Sequence, residues 1–265
     1  MRIYTKKPNN YFSKEFLKEI GRFLFKKARG PQAVNDSLIR GLDELGVDYR
    51  INNKKPKLDG SEEFFVNSSL DALSWAIDLK QKGKIKKLIA GPNLVVMPSD
   101  FNKIILSKEI DFVILPSEWV GRLWAKSVFE AMEKIRIWAA GTVDDGVKNI
   151  KKNKVLLYKK NISDEIYLLV KKVLEGLKID YDEIFYGHFS REDYFKKLDE
   201  SIFLIYLQES ESQGLSLLEA WMKNVPTFVY NRNHFKKDGV EINGSDIAAP
   251  YLNESCGAFF ENAEA

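Results

Sequence analysis

Glu211 and Glu219 are the residues of this sequence best suited to chemistry. They stand in ESESQGLSLLEAWM, residues 209–222, where Glu209, Glu211 and Gly214 lead into a run of leucines and a tryptophan that contains Glu219. A carboxylate so close to apolar residues needs a partner, because an unpaired one costs roughly several kcal/mol or loses its charge. Carboxylates only accept hydrogen bonds, so both acids suit the paired hydroxyls of a ribose or a hexose.

The elements that would position these acids alternate along the chain. Short apolar, β-branched and aromatic runs separate longer stretches of helical periodicity, which is typical of parallel βαβ units. The predicted strands are RIYT, DYRIN, EFFVN, KKLIA, DFVILP, RIWAA, KVLLY, EIFYG, IFLIYL and PTFVY. The predicted helices are 31–45, 69–82, 117–135, 163–177, 191–199 and 215–224.

The charged, glycine-containing stretch GTVDDGVKNIKKNK, residues 141–154, is predicted to link two α/β domains. These are an acceptor-side domain, residues 1–143, and a nucleotide-sugar-binding domain, residues 151–265. Each is expected to be a Rossmann-like, doubly wound sheet. A ligand would then lie between them, at the carboxyl ends of the strands.

Composition narrows the class of protein. The 265 residues are 45% hydrophobic and carry a net charge of +3, which indicates folded domains and gives no sign of a nucleic-acid partner. The one cysteine, Cys256, excludes an intrachain disulfide and favours a reducing, cytoplasmic compartment. The N-terminus MRIYTKKPNN has no signal-peptide core.

The acids sit at the end of a predicted strand. IFLIYL is followed by the turn ESESQG and then by the helix that Gly214 and Leu215 open. Free N–H groups at such a helix start attract a phosphate or a sugar oxygen. An alternative is structural, because Ser216 and Glu219 have the spacing of a capping box. That alternative leaves Glu211 and Gly214 unexplained.

Glu211, seven residues and then Glu219, in ESQGLSLLEAWMKNVPTFVY, resembles the signature of retaining glycosyltransferases of the GT-B fold, family four (group 1). GPQAVNDSLIRGLDELGV, IAGPNLVVMPSD, PSEWVGRLW and YGHFSREDYF are similar to further segments of that family. The resemblance implies a metal-independent hexosyltransferase that acts in glycan biosynthesis and uses a nucleotide-sugar as co-substrate, without another cofactor. It places Glu211 at the transferred sugar and Glu219 at the ribose.

The same resemblance suggests five further site residues. Lys159 and Lys160 follow strand KVLLY, where the family neutralises the donor diphosphate, although a solvated lysine pair is the alternative. Gly30 matches a glycine loop near the donor phosphates, or is an ordinary helix start. Asn93 stands where many members carry a histidine near the transferred sugar. His188 would neighbour the nucleobase, or is a surface residue.

The sequence also allows three other functions. Asp180 and Asp182 form an Asp-x-Asp pattern, as in a metal-dependent GT-A transferase, but they precede strand EIFYG, so a solvated turn accounts for them better. A nucleotide-sugar epimerase with the same double fold and a non-catalytic nucleotide-sugar-binding module are the other two alternatives.

Two expectations concern the ends of the chain. Residues 11–29 have a basic and an apolar helical face, which suits peripheral contact with an anionic membrane carrying a lipid-linked acceptor, or simple core packing. After strand GAFF the family continues with further helices. The second domain is therefore expected to be incomplete, either as a truncated form or as a reduced member, and to expose apolar surface.

Overall fold

The computed structural model describes residues 1–8, 30–54, 56–128, 133–143, 146 and 153–262. The basic helix predicted over residues 11–29 and most of the predicted link 141–154 lie outside them. The chain divides into two compact units, of which the first contains the described residues 1–8 and Pro31–Ala140 and the second contains Gly141–Ala265.

The first unit is built on a six-stranded parallel sheet, here the first sheet, in the order β2-β1-β3-β4-β5-β6. A short segment, Asp100–Lys103, and a 3-10 turn, Ile104–Leu106, lie between β4 and β5. The other elements are β1 (Arg2–Tyr4), α1 (Gly30–Glu44), β2 (Arg50–Ile51), β3 (Glu63–Val66), α2 (Leu70–Gln81), β4 (Lys87–Ala90), β5 (Phe112–Leu115), α3 (Glu118–Ser127) and β6 (Ile135–Ile137).

The second unit is built on a five-stranded parallel sheet, here the second sheet, in the order β13-β10-β9-β7-β8. Along the chain, β10 and β13 are separated by β11 and β12, which form an antiparallel hairpin of their own. In the sheet, β10 and β13 pair directly. The elements are β7 (Lys154–Lys159), α4 (Asp164–Gly176), β8 (Tyr181–Phe185), α5 (Arg191–Glu200), β9 (Ser201–Leu207), α6 (Leu215–Met222), β10 (Thr227–Tyr230), β11 (His234–Lys237), β12 (Val240–Asn243), the 3-10 turn Ser245–Ile247 and β13 (Gly257–Phe260).

The expected fold class, an α/β protein with two Rossmann-like sheets, is confirmed. Each predicted strand corresponds to one of β1–β10, and GAFF forms β13. The prediction was wrong for α3, which ends at Ser127 rather than at 135, because Val128 is extended and β6 begins at Ile135. The β11–β12 hairpin was not predicted.

Strands β7 and β9 of the second sheet have buried side chains on both faces, which explains their nearly continuous apolar sequences. Leu156 and Tyr158 of β7 pack under α5 and α6, whereas Val155 and Leu157 pack under α4. Successive side chains on a strand point to opposite faces. This alternation continues through Lys159, the last residue of β7, to Lys160. It decides on which face of the sheet each of these two side chains lies.

A buried ion pair joins the two helices on one face of the second sheet. Lys223, which ends α6, places its Nζ 3.3 Å from Oδ1 of Asp199 on α5, with the side chains 1% and 3% exposed. The ammonium also donates to the carbonyl of Gly146 at 2.8 Å. A charge this deeply buried is tolerated when it is paired, so the contact fixes α5 beside α6.

An open apolar groove of about 250 Å³ lies on the α4 face of the second sheet. Phe203, Phe228 and Phe260 of three neighbouring strands line it together with Val170 and Leu174 of α4. No helix among the described residues is long and apolar enough to cross a membrane.

Gly91, directly after β4, is required by its surroundings. Its φ is +115°, and a Cβ there would stand 2.2 Å from the carbonyl oxygen of Ile114. Gly91→Ala is expected to lower the free energy of unfolding by about 3 kcal/mol or more, because it combines backbone strain with overpacking. Urea unfolding measures this loss.

Gly41→Ala is the matched control, since Gly41 lies inside α1 and a Cβ there would meet nothing within 4 Å. This variant should gain about 0.5–1 kcal/mol through helix propensity. Equal stabilities of the two variants would contradict the close approach of β4 to β5.

Candidate active site

The candidate site lies at the carboxyl edge of the second sheet, between β7 and β9. The chain leaves β7 for α4 and leaves β9 for α6, and these helices cover opposite faces of the sheet. This is the topological switch point of a doubly wound sheet, where a crevice opens for a ligand. Lys160 follows β7 and Glu211 lies in the loop after β9, so both border it.

Lys160 and Glu211 form an ion pair across the switch point. The Lys160 ammonium donates to Oε2 of Glu211 at 2.6 Å, and Glu211 is only 7% exposed. The same ammonium stands 4.8 Å from the ring centre of Tyr186. The structure therefore brings two of the predicted site residues into direct contact.

Glu211 is held in its charged form although it is buried. Burial alone would raise the pKa of this carboxyl, but the Lys160 ammonium and the backbone N–H groups of Gly214 and Gln213 hold the pKa below its usual value. A buried carboxylate with its charge retained can accept hydrogen bonds from a ligand's hydroxyls.

A buried tyrosine links Glu211 to the following helix. The Tyr206 hydroxyl donates to Oε2 of Glu211 at 3.1 Å and lies 2.8 Å from the Ser216 hydroxyl. Burial raises the pKa of Tyr206 well above its usual value, so the hydroxyl keeps its proton. Ser216 thus takes part in this network rather than in a helix cap.

The capping box that was the structural alternative for Ser216 and Glu219 does not form. The helix α6 begins at Leu215, and its N-cap is Gly214, with φ +70° and no side-chain cap bond. A capping box of this kind forms instead at Ser190 and Asp193, at the start of α5. The first N–H groups of α6, beginning with that of Leu215, therefore lie beside Glu211, and their N-cap residue supplies no side-chain acceptor.

Lys159 and Lys160 point to opposite faces of the second sheet. Lys159 continues the face of Val155 and Leu157, where its ammonium pairs with Asp164 and lies 4.5 Å from the ring centre of Tyr167. Lys160 continues the other face and reaches Glu211. The structure therefore does not bring Lys159 to the pair, because the strand alternation separates it from its neighbour.

Glu219 is paired with an arginine that the sequence analysis did not single out. The Arg191 Nε donates to Oε1 of Glu219 at 2.7 Å, and Arg191 also donates to the Thr142 hydroxyl at 3.3 Å. A signal was present, since a cation at the first position of a helix opposes the helix dipole and needs a compensating partner.

The remaining predicted residues lie on other segments of the chain. His188 is exposed in the turn after β8, where its backbone N–H donates to the Phe185 carbonyl. Gly30 is the first residue of α1, where a Cβ would meet nothing within 4 Å. Asn93 follows β4 in the first unit, and its backbone N–H donates to Oδ1 of Asn67 at 3.3 Å.

The sequence predicted a solvated turn for both aspartates of the GT-A alternative, and this prediction was wrong for Asp182. Asp182 lies within β8 and its carboxylate stands 3.6 Å from the Lys154 ammonium and 3.4 Å from that of Lys197. Asp180 immediately precedes the strand. Within the described ranges, no group of three or more His, Cys, Asp or Glu side chains could hold a metal ion.

Comparison with known proteins identifies the fold. No protein-family model matches the chain, and no curated protein sequence matches it either. The apo form of the lipopolysaccharide outer core galactosyltransferase WaaB is 12% identical with a TM-score of 0.53, over 98% of this chain and 86% of that one. This likeness shows the GT-B fold.

Two other solved structures match over less than half of their own length. The GtfA/B complex is 12% identical, with a TM-score of 0.48, over 85% of this chain and 48% of that one. A mutant of S. aureus TarM with fondaparinux, alpha-GlcNAc-glycerol and UDP is 11% identical, with a TM-score of 0.47, over 71% of this chain and 43% of that one.

The charge of Glu211 is predicted to depend on Lys160. In the parent protein the low pKa of Glu211 contributes stability that is present above the unfolded pKa and is lost as the pH falls through the folded one. In Lys160→Met the ammonium is lost, so burial of the Glu211 carboxyl becomes the dominant influence on its pKa. The pKa should then rise above its usual value, and the carboxylate should reduce stability as the pH rises past the unfolded pKa.

An NMR titration of the Glu211 carboxyl carbon, with urea unfolding between pH 3 and pH 7, would measure both effects. Lys159→Met is the matched control, because that ammonium pairs with Asp164 instead. An unchanged Glu211 pKa in Lys160→Met, or an equal shift in both variants, would contradict the assignment.

Proposed function

We propose that this chain is a glycosyltransferase that takes a sugar from a nucleotide-sugar and transfers it, with retention of configuration, to a glycan, lipid-linked or small-molecule acceptor. The observation that carries the proposal is the Lys160–Glu211 pair at the β7/β9 crevice, beside the uncapped start of α6. The GT-B fold supports it by analogy.

The diphosphate of the donor is proposed to bind between Lys160 and the N–H groups at the start of α6, beginning with that of Leu215. The ammonium supplies a point charge and the helix start supplies oriented donors, and together they stabilise the negative charge that grows on the leaving group. The contact with Glu211 holds the Lys160 ammonium at the switch point before the donor arrives.

Glu211 is proposed to accept hydrogen bonds from the transferred sugar, and Glu219 from the ribose. The Glu219 side chain is 12% exposed, whereas Arg191 beside it is 50% exposed. Arg191 therefore fixes one carboxylate oxygen from the solvent side. Such a fixed carboxylate is suited to the two neighbouring hydroxyls of a ribose.

The anomeric configuration of the sugar is proposed to be retained because the acceptor enters by front-face displacement, as the family resemblance implies. The acceptor oxygen forms its bond to the anomeric carbon on the face from which the diphosphate departs. The bond between that carbon and the diphosphate oxygen breaks, and the acceptor proton passes to the departing diphosphate. This route leaves Glu211 as a sugar-binding carboxylate rather than a covalent nucleophile.

The glutamates are predicted to respond differently to amide substitution. Glu219→Gln should weaken binding of both the free nucleotide and the nucleotide-sugar by about 10-fold or more, because the ribose is common to both and a charged hydrogen bond is lost. Glu211→Gln should weaken binding of the nucleotide-sugar and lower turnover, with a smaller effect on the free nucleotide. Thermal shift and calorimetry with a nucleotide and nucleotide-sugar panel measure these affinities.

Glu209→Gln is a matched control, since Glu209 lies in the same loop, half exposed, and pairs with Arg232. Its affinities should equal those of the parent. If the parent bound no nucleotide or nucleotide-sugar, or if Glu211→Gln kept full turnover, the proposed function would be wrong.

Turnover is predicted to need an acceptor and to survive a chelator. EDTA should leave the rate within about twofold, because Lys160 and the helix start supply the positive potential that a metal would otherwise supply. NMR of the product should show the donor's anomeric configuration. A strict need for manganese would favour a GT-A-like site, and conversion of the donor without an acceptor would favour an epimerase. Binding without any turnover would favour a binding module.

A further inference from the structure

Strand β8 forms one edge of the second sheet, and its only strand neighbour among the described residues is β7. It has five residues, whereas the edge strands β2, β6 and β13 of the two parallel sheets have two, three and four. An edge strand presents a row of backbone N–H and C=O groups that another strand can bond, and proteins commonly keep such edges short. Of these four edges, β8 offers the longest row.

The backbone directions in β8 are fixed by its pairing with β7. The Tyr186 N–H, directly after β8, donates to the Lys159 carbonyl at 2.9 Å. Hydrogen-bonding directions alternate from residue to residue along a strand, so the N–H and C=O groups of Tyr181 and Glu183 point away from β7. A further strand can therefore pair along the outer side of β8.

Strand β8, all of which is described, lacks the features that usually protect an edge, which are a proline, a bulge or an unpaired charge. Its five residues pair with β7 in one continuous register. The Asp182 carboxylate lies 3.6 Å from the Lys154 ammonium and 3.4 Å from that of Lys197. The Lys171 ammonium stands 3.1 Å from Oε1 of Glu183. Both acids of the strand are therefore already neutralised.

The face of β8 that packs under α4 is symmetric about Glu183. Tyr181 and Phe185 stand on either side of it and on the same face, because side chains alternate along a strand. Phe185 is 40% exposed, and Leu168, one turn before Lys171 on α4, is 58% exposed. The edge thus shows apolar groups around a single ion pair.

We propose that β8 is the contact surface for a second copy of this chain, whose own β8 pairs with it in antiparallel orientation across a two-fold axis at Glu183. Tyr181 of each copy lies opposite Phe185 of the other, as an aromatic cross-strand pair. The two Glu183 carboxylates meet between two Lys171 ammonium groups, so opposite charges alternate across the contact. A strand of the same sequence matches both features, and a chain with one such edge closes into a dimer.

Sedimentation equilibrium of the full chain measures this contact, and the parent is expected to form a reversible dimer as its concentration rises. Lys171→Glu should raise the dimer dissociation constant about 10-fold or more, because only carboxylates then meet at the axis. Lys172→Glu is the matched control, since it makes the same charge change at the next, exposed residue of α4. Its dissociation constant should stay within about twofold of the parent. Lys171→Glu combined with Glu183→Lys restores the alternation and should recover most of the affinity.

Cross-linking locates the axis without relying on the affinity. In a Cys256→Ser background, Glu183→Cys should give a disulfide-linked dimer under mild oxidation. Directly opposite residues of such a pair have Cα atoms about 5.5 Å apart, which is within disulfide range. Lys172→Cys in the same background should give no linked dimer. Melting temperatures of both reduced variants, compared with that of the Cys256→Ser parent, show that the fold is kept.

A monomer at every concentration would overturn the dimer. A dimer that Lys171→Glu leaves intact would overturn the β8 contact, and so would assembly beyond dimers, since a two-fold edge contact closes on itself. Glu183 faces α4 whereas Lys160 points to the other face of the sheet, so the contact and the proposed function can fail separately. Nucleotide-sugar binding by a strict monomer would overturn the dimer alone. A Lys171-dependent dimer that binds no nucleotide would support the contact and refute the transferase.

Discussion

The contact between Lys160 and Glu211 is the interaction on which the second unit's candidate site depends. A carboxylate that is 7% exposed cannot keep its charge without a partner, and the ammonium 2.6 Å away supplies one. This single contact joins the loop after β7 to the loop after β9. Tyr206 then connects the pair to Ser216, so the start of α6 is positioned by the same network.

Much of this arrangement follows from the sequence by simple rules. Apolar runs and helical periodicity predicted the order of strands and helices, and the position of Glu211 after a buried strand predicted that it borders the crevice. The alternation of β7 would also have separated the two lysines, because Leu156 and Tyr158 share a face with Lys160 and not with Lys159. The resemblance gave both lysines one role, whereas the geometry distinguishes them.

Other features depend on contacts that no local pattern encodes. Arg191 and Glu219 are 28 residues apart, and they meet because α5 and α6 lie side by side on one face of the sheet. The capping-box alternative for Ser216 and Glu219 fails because Gly214, in a left-handed conformation, is the N-cap residue and the helix begins at Leu215. The β11–β12 hairpin did have a local signal, since Asp238 and Gly239, with φ of 50° and 80°, form the Asp-Gly turn typical of hairpins.

The two sheets share a topology but differ in the chemistry of their crevices. At β7/β9 the polar groups are an ammonium, a carboxylate and a helix start. They suit a ligand that carries negative charge and becomes more negative as a bond breaks. At the β1/β3 edge of the first sheet, the Asn67 side chain is bonded to Asn35, to the Ser68 hydroxyl and to the Asn93 N–H, which are uncharged groups. In the proposed transferase, the group that departs with negative charge must be stabilised, and the ammonium and helix start of the β7/β9 crevice are suited to that task.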